Sequence, residues 1–264
     1  MEFLLSTVYN LAMKVFDLEK EFTETLEMKK FPFDISLNGL QCGRYEKVVK
    51  KIAFAVDANL ASIKAAIEEG ADMLFVHHGL FWGSPIALTG THYERVKLMM
   101  DNDLALFACH LPLDAHPSLG NNAQMAIRLG MKSYDPFSFY KGEYIGFKGK
   151  LPFSMSLGEI AALLNFAPSS GLKVYPFGKE EVKTVAIVSG SAAFDINDAI
   201  AEGVDCFITG EMKHEVYSTA IENNINVIAG GHYQSEVFGV QAVMRMVQAK
   251  FGLETVFIDV PTGL

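Results

Sequence analysis

Five of the seven histidines in this chain stand in short polar runs that directly follow apolar segments. Segment 73–76 leads into His77-His78-Gly79, and 104–108 leads into Cys109-His110-Leu111-Pro112-Leu113-Asp114. Segment 206–209 leads into Gly210-Glu211-Met212-Lys213-His214, and 225–229 into Gly230-Gly231-His232-Tyr233-Gln234-Ser235-Glu236. Imidazole nitrogen combined with carboxylate oxygen suits zinc, iron or manganese. His232 and Glu236 are four apart, which at the start of a helix puts both on one face. His77 and His78 are adjacent. In extended chain neighbouring side chains point to opposite faces, so either the chain turns there or each histidine serves a different ion. This favours two divalent ions, held by His77, His78, Asp114, His232 and Glu236 and roughly 3.5–4 Å apart, as in hydrolytic two-metal sites. Asp114 or Glu236 would bridge them.

A lone histidine at a strand end is more often a hydrogen-bonded structural residue than a ligand. Four strand ends behaving alike argue for a metal site. His110 has three open roles: ligand, donor behind a ligand, or proton carrier. Glu211 and His110 are the candidate catalytic residues, as the groups that move protons. His92 and His116 read as loop or surface residues. Phe81 and Trp82, beside the histidine pair, either stack on a planar base or cover the core.

The apolar segments must be strands for this scheme to work. Segments 52–56, 73–76, 104–108, 185–188, 206–209, 225–229 and 254–258 are short, apolar and separated by helical patterns, the mark of βαβ units and parallel pairing. Ligands of such open sheets bind beyond the carboxyl ends of the strands, where these histidines and carboxylates fall. A self-comparison adds an internal repeat. At a shift of 133 residues Ala53, Ala66, Ile67, Glu69, Gly70 and Asp72 fall on Ala186, Ala199, Ile200, Glu202, Gly203 and Asp205 without a gap. Residues 101–108 resemble 222–229 at a shift of 121. Gly70 and Gly203 occupy places where a helix ends in the left-handed conformation. Ser156 and Glu159 have capping-box spacing, 144–150 reads as a strand, and 237–250 as a helix. The expected fold is α/β: two similar, duplicated domains with mainly parallel strands and a dinuclear site between them. The first comprises 1–130 with 231–264, and the second 131–230.

Half of the 264 residues are hydrophobic and 20% are charged, which is incompatible with disorder as the main state. The net charge of −9 disfavours generic DNA binding by phosphate neutralisation. Cys42, Cys109 and Cys206 form no CxxC pair, which suits a reducing, cytoplasmic setting rather than a disulfide scaffold. The stretch 1–22 carries Glu2 where a signal peptide needs basic charge, and no run of 18 apolar residues suggests a membrane span. Neither a phosphate loop, HExxH nor Gly-x-Ser-x-Gly occurs, and Ser189-Gly190-Ser191 reads as a plain loop.

Val76-His77-His78-Gly79-Leu80-Phe81-Trp82, His110-Leu111-Pro112-Leu113-Asp114 and Gly231-His232-Tyr233-Gln234-Ser235-Glu236 resemble the signatures of the Nif-three-like proteins. These are the relatives of Ngg-interacting factor three, often labelled GTP cyclohydrolase type two homologues. Asn38-Gly39-Leu40-Gln41, Asn121-Asn122-Ala123 and Thr209-Gly210-Glu211-Met212-Lys213 extend the resemblance over about 38–260. It implies a dinuclear centre on His77, His78, Asp114, His232 and Glu236, two similar α/β domains, and a ring-like hexamer built as a trimer of dimers. Many members carry Trp-Asp where this chain has Ser36-Leu37, and there is no room for the central domain that some bacterial members insert. A positive mean hydropathy of +0.21 agrees with apolar surface hidden between subunits. The expected function is a metal-dependent hydrolase acting on a nucleotide-like or phosphoester substrate. The alternative is a non-enzymatic ring that binds protein or nucleic-acid partners.

Overall fold

The computed structural model describes residues 13–264. The apolar stretch discussed as a signal-peptide candidate lies mostly outside the described residues.

Two sheets organise the chain. The first has the order β1-β4-β3-β2-β11, formed by β1 (Gly39–Cys42), β2 (Lys51–Asp57), β3 (Met73–His78), β4 (Ala105–Ala108) and β11 (Glu254–Phe257). All its pairings are parallel except that of β1 with β4. The second has the order β5-β6-β8-β9-β10-β7, formed by β5 (Tyr134–Tyr140), β6 (Glu143–Met155), β7 (Lys173–Tyr175), β8 (Val182–Val188), β9 (Cys206–Thr209) and β10 (Asn226–Ala229). Only β8, β9 and β10 run parallel there. The expectation of mainly parallel strands therefore describes the first sheet and the centre of the second, and the molecule is a mixed α/β fold. The antiparallel edge has a local cause. Lys141 and Gly142 are both at positive φ, as a two-residue hairpin turn demands, so β6 must fold back on β5.

Both faces of both sheets are covered, which explains why the central strands are apolar on every residue rather than on alternate ones. In the first sheet Phe54, Phe75 and Phe107 face α1 (Val15–Thr25) and α9 (His232–Phe251). There they pack with Phe22, Val240, Val243 and Val247. Ala53, Leu74 and Leu106 face the other way, against α2 (Leu60–Glu68) and α3 (Gly90–Asp101). In the second sheet Val185, Ile187 and Ile208 face α5 (Asn121–Arg128) and α6 (Leu157–Leu163), the latter started by the Ser156–Glu159 capping box. Ala186, Phe207 and Val227 face α7 (Ile196–Ala201) and α8 (Tyr217–Glu222). Gly70 and Gly203 take positive φ after α2 and α7.

The sequence repeat has a structural counterpart. Asp72 Oδ2 accepts the backbone N–H groups of Lys50 and Lys51, at 2.8 and 3.2 Å. Asp205 Oδ2, 133 residues later, accepts those of Lys183 and Thr184, at 3.0 and 2.9 Å. Each aspartate thus ties the entry of one parallel strand to the start of its neighbour. Burial opposes the charge on Asp205, but the Lys179 ammonium and these donors hold its carboxyl below the usual carboxylate range. Asp205→Ala is expected to cost about 1–3 kcal/mol, the worth of hydrogen bonds to a charged group. Because the folded pKa is depressed, that contribution is complete above the unfolded value of about 4 and is lost as pH falls through the folded one. Urea melts of wild type and variant should differ at pH 7 and draw together as pH falls below about 4.

Candidate metal centre

The carboxyl ends of β3 and β4 and the start of α9 meet in a cleft of about 710 Å³ that is also lined from β8 and β9. The first turn of α9 carries His232 and Glu236 on one face, with His232 Nε2 at 3.2 Å from Glu236 Oε1. Asp114 comes from α4 (Leu111–Ala115), which follows β4 directly. His77 and His78 close β3, and their rings converge, with centroids 4.6 Å apart, instead of pointing to opposite faces. The reason lies in what each ring is tied to. His77 Nδ1 donates to the Cys109 carbonyl at 2.9 Å, at the end of the neighbouring strand, and His78 Nδ1 donates to Asp57 Oδ1 at 2.8 Å, at the end of β2.

The other two imidazoles are held in the same manner. His110 Nδ1 donates to Asp34 Oδ1 at 3.0 Å, and His232 Nδ1 donates to Glu211 Oε1 at 2.5 Å. All four rings therefore spend Nδ1 outward and turn Nε2 inward, the arrangement by which a hydrogen bond fixes the tautomer of a metal-ligating histidine. Three overlapping groups have ligand atoms within 4.8 Å of one another: His77, Asp114 and Glu236; His78, His232 and Glu236; and His77, His78 and His110. Glu236 belongs to the first two. Its Oε1 lies 3.5 Å from His77 Nε2, and its Oε2 lies 3.4 Å from His78 Nε2. Asp114 Oδ2 lies 3.5 Å from His77 Nε2, while its Oδ1 accepts from Asn121 and Ser189.

Electrostatics and satisfaction agree with this geometry. Burial resists charge on His77, yet Asp114 and Glu236 push it up to about 10. His232, despite its burial, is pushed up to about 9 by Glu236 and Glu211. The histidines around it hold Glu236 well below the ordinary carboxylate range against the effect of burial. The cluster thus carries buried negative charge that calls for cations. His77 Nε2 and Glu236 Oε2 are buried with no hydrogen-bond partner. An orphaned polar atom in a core is costly, and two of them facing one space fit a site shaped for metal. Gly190 makes room here: a Cβ on it would stand 2.4 Å from Glu236 Oε1.

Four of the five expected ligands and both expected proton carriers thus line one cleft, and the fifth, His77, is buried behind them with its Nε2 3.5 Å from both Asp114 and Glu236. Trp82 lines it, with its ring centroid 5.0 Å from that of His110, whereas Phe81 packs into the core. His116 lies elsewhere and donates from Nε2 to the Thr25 carbonyl at 2.9 Å. Four contributors escape the strand-end reading of the sequence: Asp34, Asp57, Asn121 and Ser189. Asp57 also closes a strand, so the rule that found the histidines reaches it when applied to β2. Ser189 belongs to the loop read as a weak signal, and it buttresses Asp114. Asp34 reaches His110 from two residues before Ser36.

The family model for Duf34/NIF3 (NGG1p interacting factor 3) matches residues 13–263. The chain belongs to the DUF34/NIF3 family. Among its relatives, a "GTP cyclohydrolase 1 type 2 homolog" of Archaeoglobus fulgidus is 46% identical over 252 residues, covering 96% of this chain and all of the relative. One of the same name from Deinococcus radiodurans is 42% identical over 248 residues, covering 94% of each. Among solved structures, a protein of Thermus thermophilus superposes with a TM-score of 0.86 at 38% identity, covering 96% of this chain and all of that one. Reduced HcgD of Methanocaldococcus jannaschii gives 0.80 at 28% identity, covering 94% and 98%. No helix among the described residues is long and apolar enough to cross a membrane.

Proposed function

We propose that this protein is a metal-dependent hydrolase with two divalent ions per chain, acting on a nucleotide-like or phosphoester substrate. The observation that carries the proposal is the set of four imidazoles, each tied outward at Nδ1 and facing inward at Nε2 around two orphaned buried atoms. His77, Asp114 and Glu236 would hold one ion, and His78, His232 and Glu236 the other, with Glu236 shared. Mixed nitrogen and oxygen donors fit zinc, iron or manganese. Bound there, the ions supply Lewis acidity and bring the pKa of water toward neutrality.

The chain's own residues do the rest. Ser189 and Asn121 orient Asp114 through its Oδ1. His110, its Nδ1 tied to Asp34, holds or moves a proton at Nε2. Glu211 has one oxygen on His232 and the other 3.2 Å from Ser191 Oγ, so it positions His232 and exchanges a proton with the cleft. We read the sheets as two related domains, 1–130 with 231–264 and 131–230, with the ion pair between them. The names of the curated relatives support a nucleotide-related substrate. Exposed Leu37, Phe139 and Phe153 support burial between subunits, in keeping with a hexamer.

Elemental analysis of protein purified without chelators is expected to give about two divalent ions per chain, in line with the two ligand groups. The loaded protein should hydrolyse at least one compound in a panel of nucleotides, phosphoesters and cyclic amides, with Asp114→Ala inactive. A protein that keeps its ions and cleaves nothing in the panel is not a hydrolase of this kind. Light scattering should show an assembly, and a stable monomer at micromolar concentration would contradict the ring.

A further inference from the structure

A nucleotide-like substrate offers two ends for recognition, its phosphates and its heterocycle, and choosing between them rests on the hydrolase reading above. Six carboxylates line the cleft. Five are tied to the histidine cluster: Asp34 to His110, Asp57 to His78, Glu211 to His232, and Asp114 and Glu236 to His77. Asp195 contacts no imidazole among the described residues. Its Oδ1 accepts the Ser138 hydroxyl in a short hydrogen bond, which leaves Oδ2 for something else.

The backbone is bent to build this contact. Ser138 is 4% exposed within β5, yet its φ is +57°, a left-handed conformation that costs a non-glycine residue about 1–2 kcal/mol. The cleft that Asp195 lines also has aromatic walls. Trp82 stands beside the histidines, and Phe33 packs on Tyr140 with centroids 5.9 Å apart. Neither lysine nor arginine lines the cleft among the described residues. Lys141 and Lys213, which adjoin it in sequence, lie over the rings of Tyr140 and Phe194, at 5.1 and 5.5 Å. In the ion-loaded protein the two proposed cations, rather than basic side chains, would take any phosphate. Aromatic walls with a carboxylate acceptor suit a flat ring bearing N–H groups.

We infer that Asp195 and Trp82 are specificity-determining residues that bind an amino-bearing planar nitrogen heterocycle. The ring stacks on Trp82 and gives an N–H to the free oxygen of Asp195, while any attached phosphates would go to the ions.

Trp82 is the single tryptophan of the chain, so intrinsic fluorescence reports on the stacking position directly. Ion-loaded protein is titrated with guanosine, adenosine, cytidine and uridine. At least one of the three amino-bearing nucleosides should quench Trp82 with a Kd below about 1 mM. Uridine should bind about tenfold more weakly. Asp195→Asn, which keeps an acceptor for Ser138, should lose about tenfold in affinity and the preference over uridine while keeping its ion content. Three results would each overturn the inference: no quenching by the three nucleosides, equal binding of uridine, or an unaffected Asp195→Asn. The first two need no variant and do not depend on its folding. Ion content is measured on the same samples. Protein that takes up no ions yet shows the nucleoside preference would sink the metal proposal alone, and loaded protein without that preference would sink this one alone.

Discussion

Glu236→Gln is expected to strip the centre of both ions, with affinity reduced by at least about 100-fold, beyond the 10–100-fold typical of losing a hydrogen bond behind a ligand. Glu236 is the residue common to the two carboxylate-containing ligand groups, and its two oxygens face different histidines. An amide offers one weak oxygen donor and turns an NH₂ group toward a cation, so it cannot serve two ions at once. The comparison with Asp57→Asn and Glu211→Gln is informative. Each carboxylate holds an imidazole by Nδ1 and contributes no ligand atom to the clustered groups, so each variant should lose 10–100-fold in ion affinity, about 1.4–2.7 kcal/mol. Competition against a fluorescent chelator, read beside elemental analysis, ranks the three. Glu236→Gln retaining two ions at wild-type affinity would remove Glu236 from the centre.

Removing the ions should reverse how stability depends on pH. In the ion-free protein the buried carboxylates recruit protons, and His77 and His232 are raised to about 10 and about 9. The groups facing His77 are Asp114 and Glu236, with the His78 and His110 rings at centroid distances of 4.6 and 5.1 Å. A histidine whose folded pKa exceeds its unfolded value of about 6.5 contributes stability that is complete below 6.5 and is lost as pH rises through the folded value. Between pH 7 and 10 that loss is on the order of 3 kcal/mol for His77. Ions must displace those same protons, so they bind more tightly as pH rises. At a free concentration 1,000 times the Kd they stabilise the fold by about 4 kcal/mol. Thermal midpoints taken at pH 6, 7.5 and 9 should fall with pH in the presence of a chelator and hold or rise with ions present. A chelated protein whose midpoint is flat or rises over this range would show that the cluster does not take up protons in place of metal.

The site was legible in the sequence because one rule of α/β sheets, ligands beyond the carboxyl ends of strands, converts linear position into spatial neighbourhood. His77, His78, Asp114, His232 and Glu236 follow from it, along with the shared face of His232 and Glu236. Residues that reach the site from irregular segments do not follow. Asp34 lies in the irregular stretch between the short 3-10 turn Met28–Lys30 and β1, where neither period nor capping marks its direction. The convergence of His77 and His78 depends on what holds each Nδ1, and those partners are 32 and 21 residues away along the chain. For the fold, the central strands were legible because burial on both faces makes them continuous apolar runs. Strand β5 was not, since Pro136 and exposed residues break any pattern, and its place comes from pairing with β6. The antiparallel edges of the second sheet were lost for the same reason.

Helix α9 ties the centre to the timetable of synthesis. Its first turn supplies His232 and Glu236, while its later turns, through Val240, Val243 and Val247, fill the core of the sheet that displays His77. A nascent chain therefore carries His77, His78 and Asp114 through more than 100 further residues of synthesis before the shared carboxylate is made. Joining the two ends means closing loops of more than 100 residues, a late and comparatively slow event. The ligand cluster thus cannot assemble before α9 is made, and a truncation within α9 would leave an exposed aromatic core together with a cluster that cannot close.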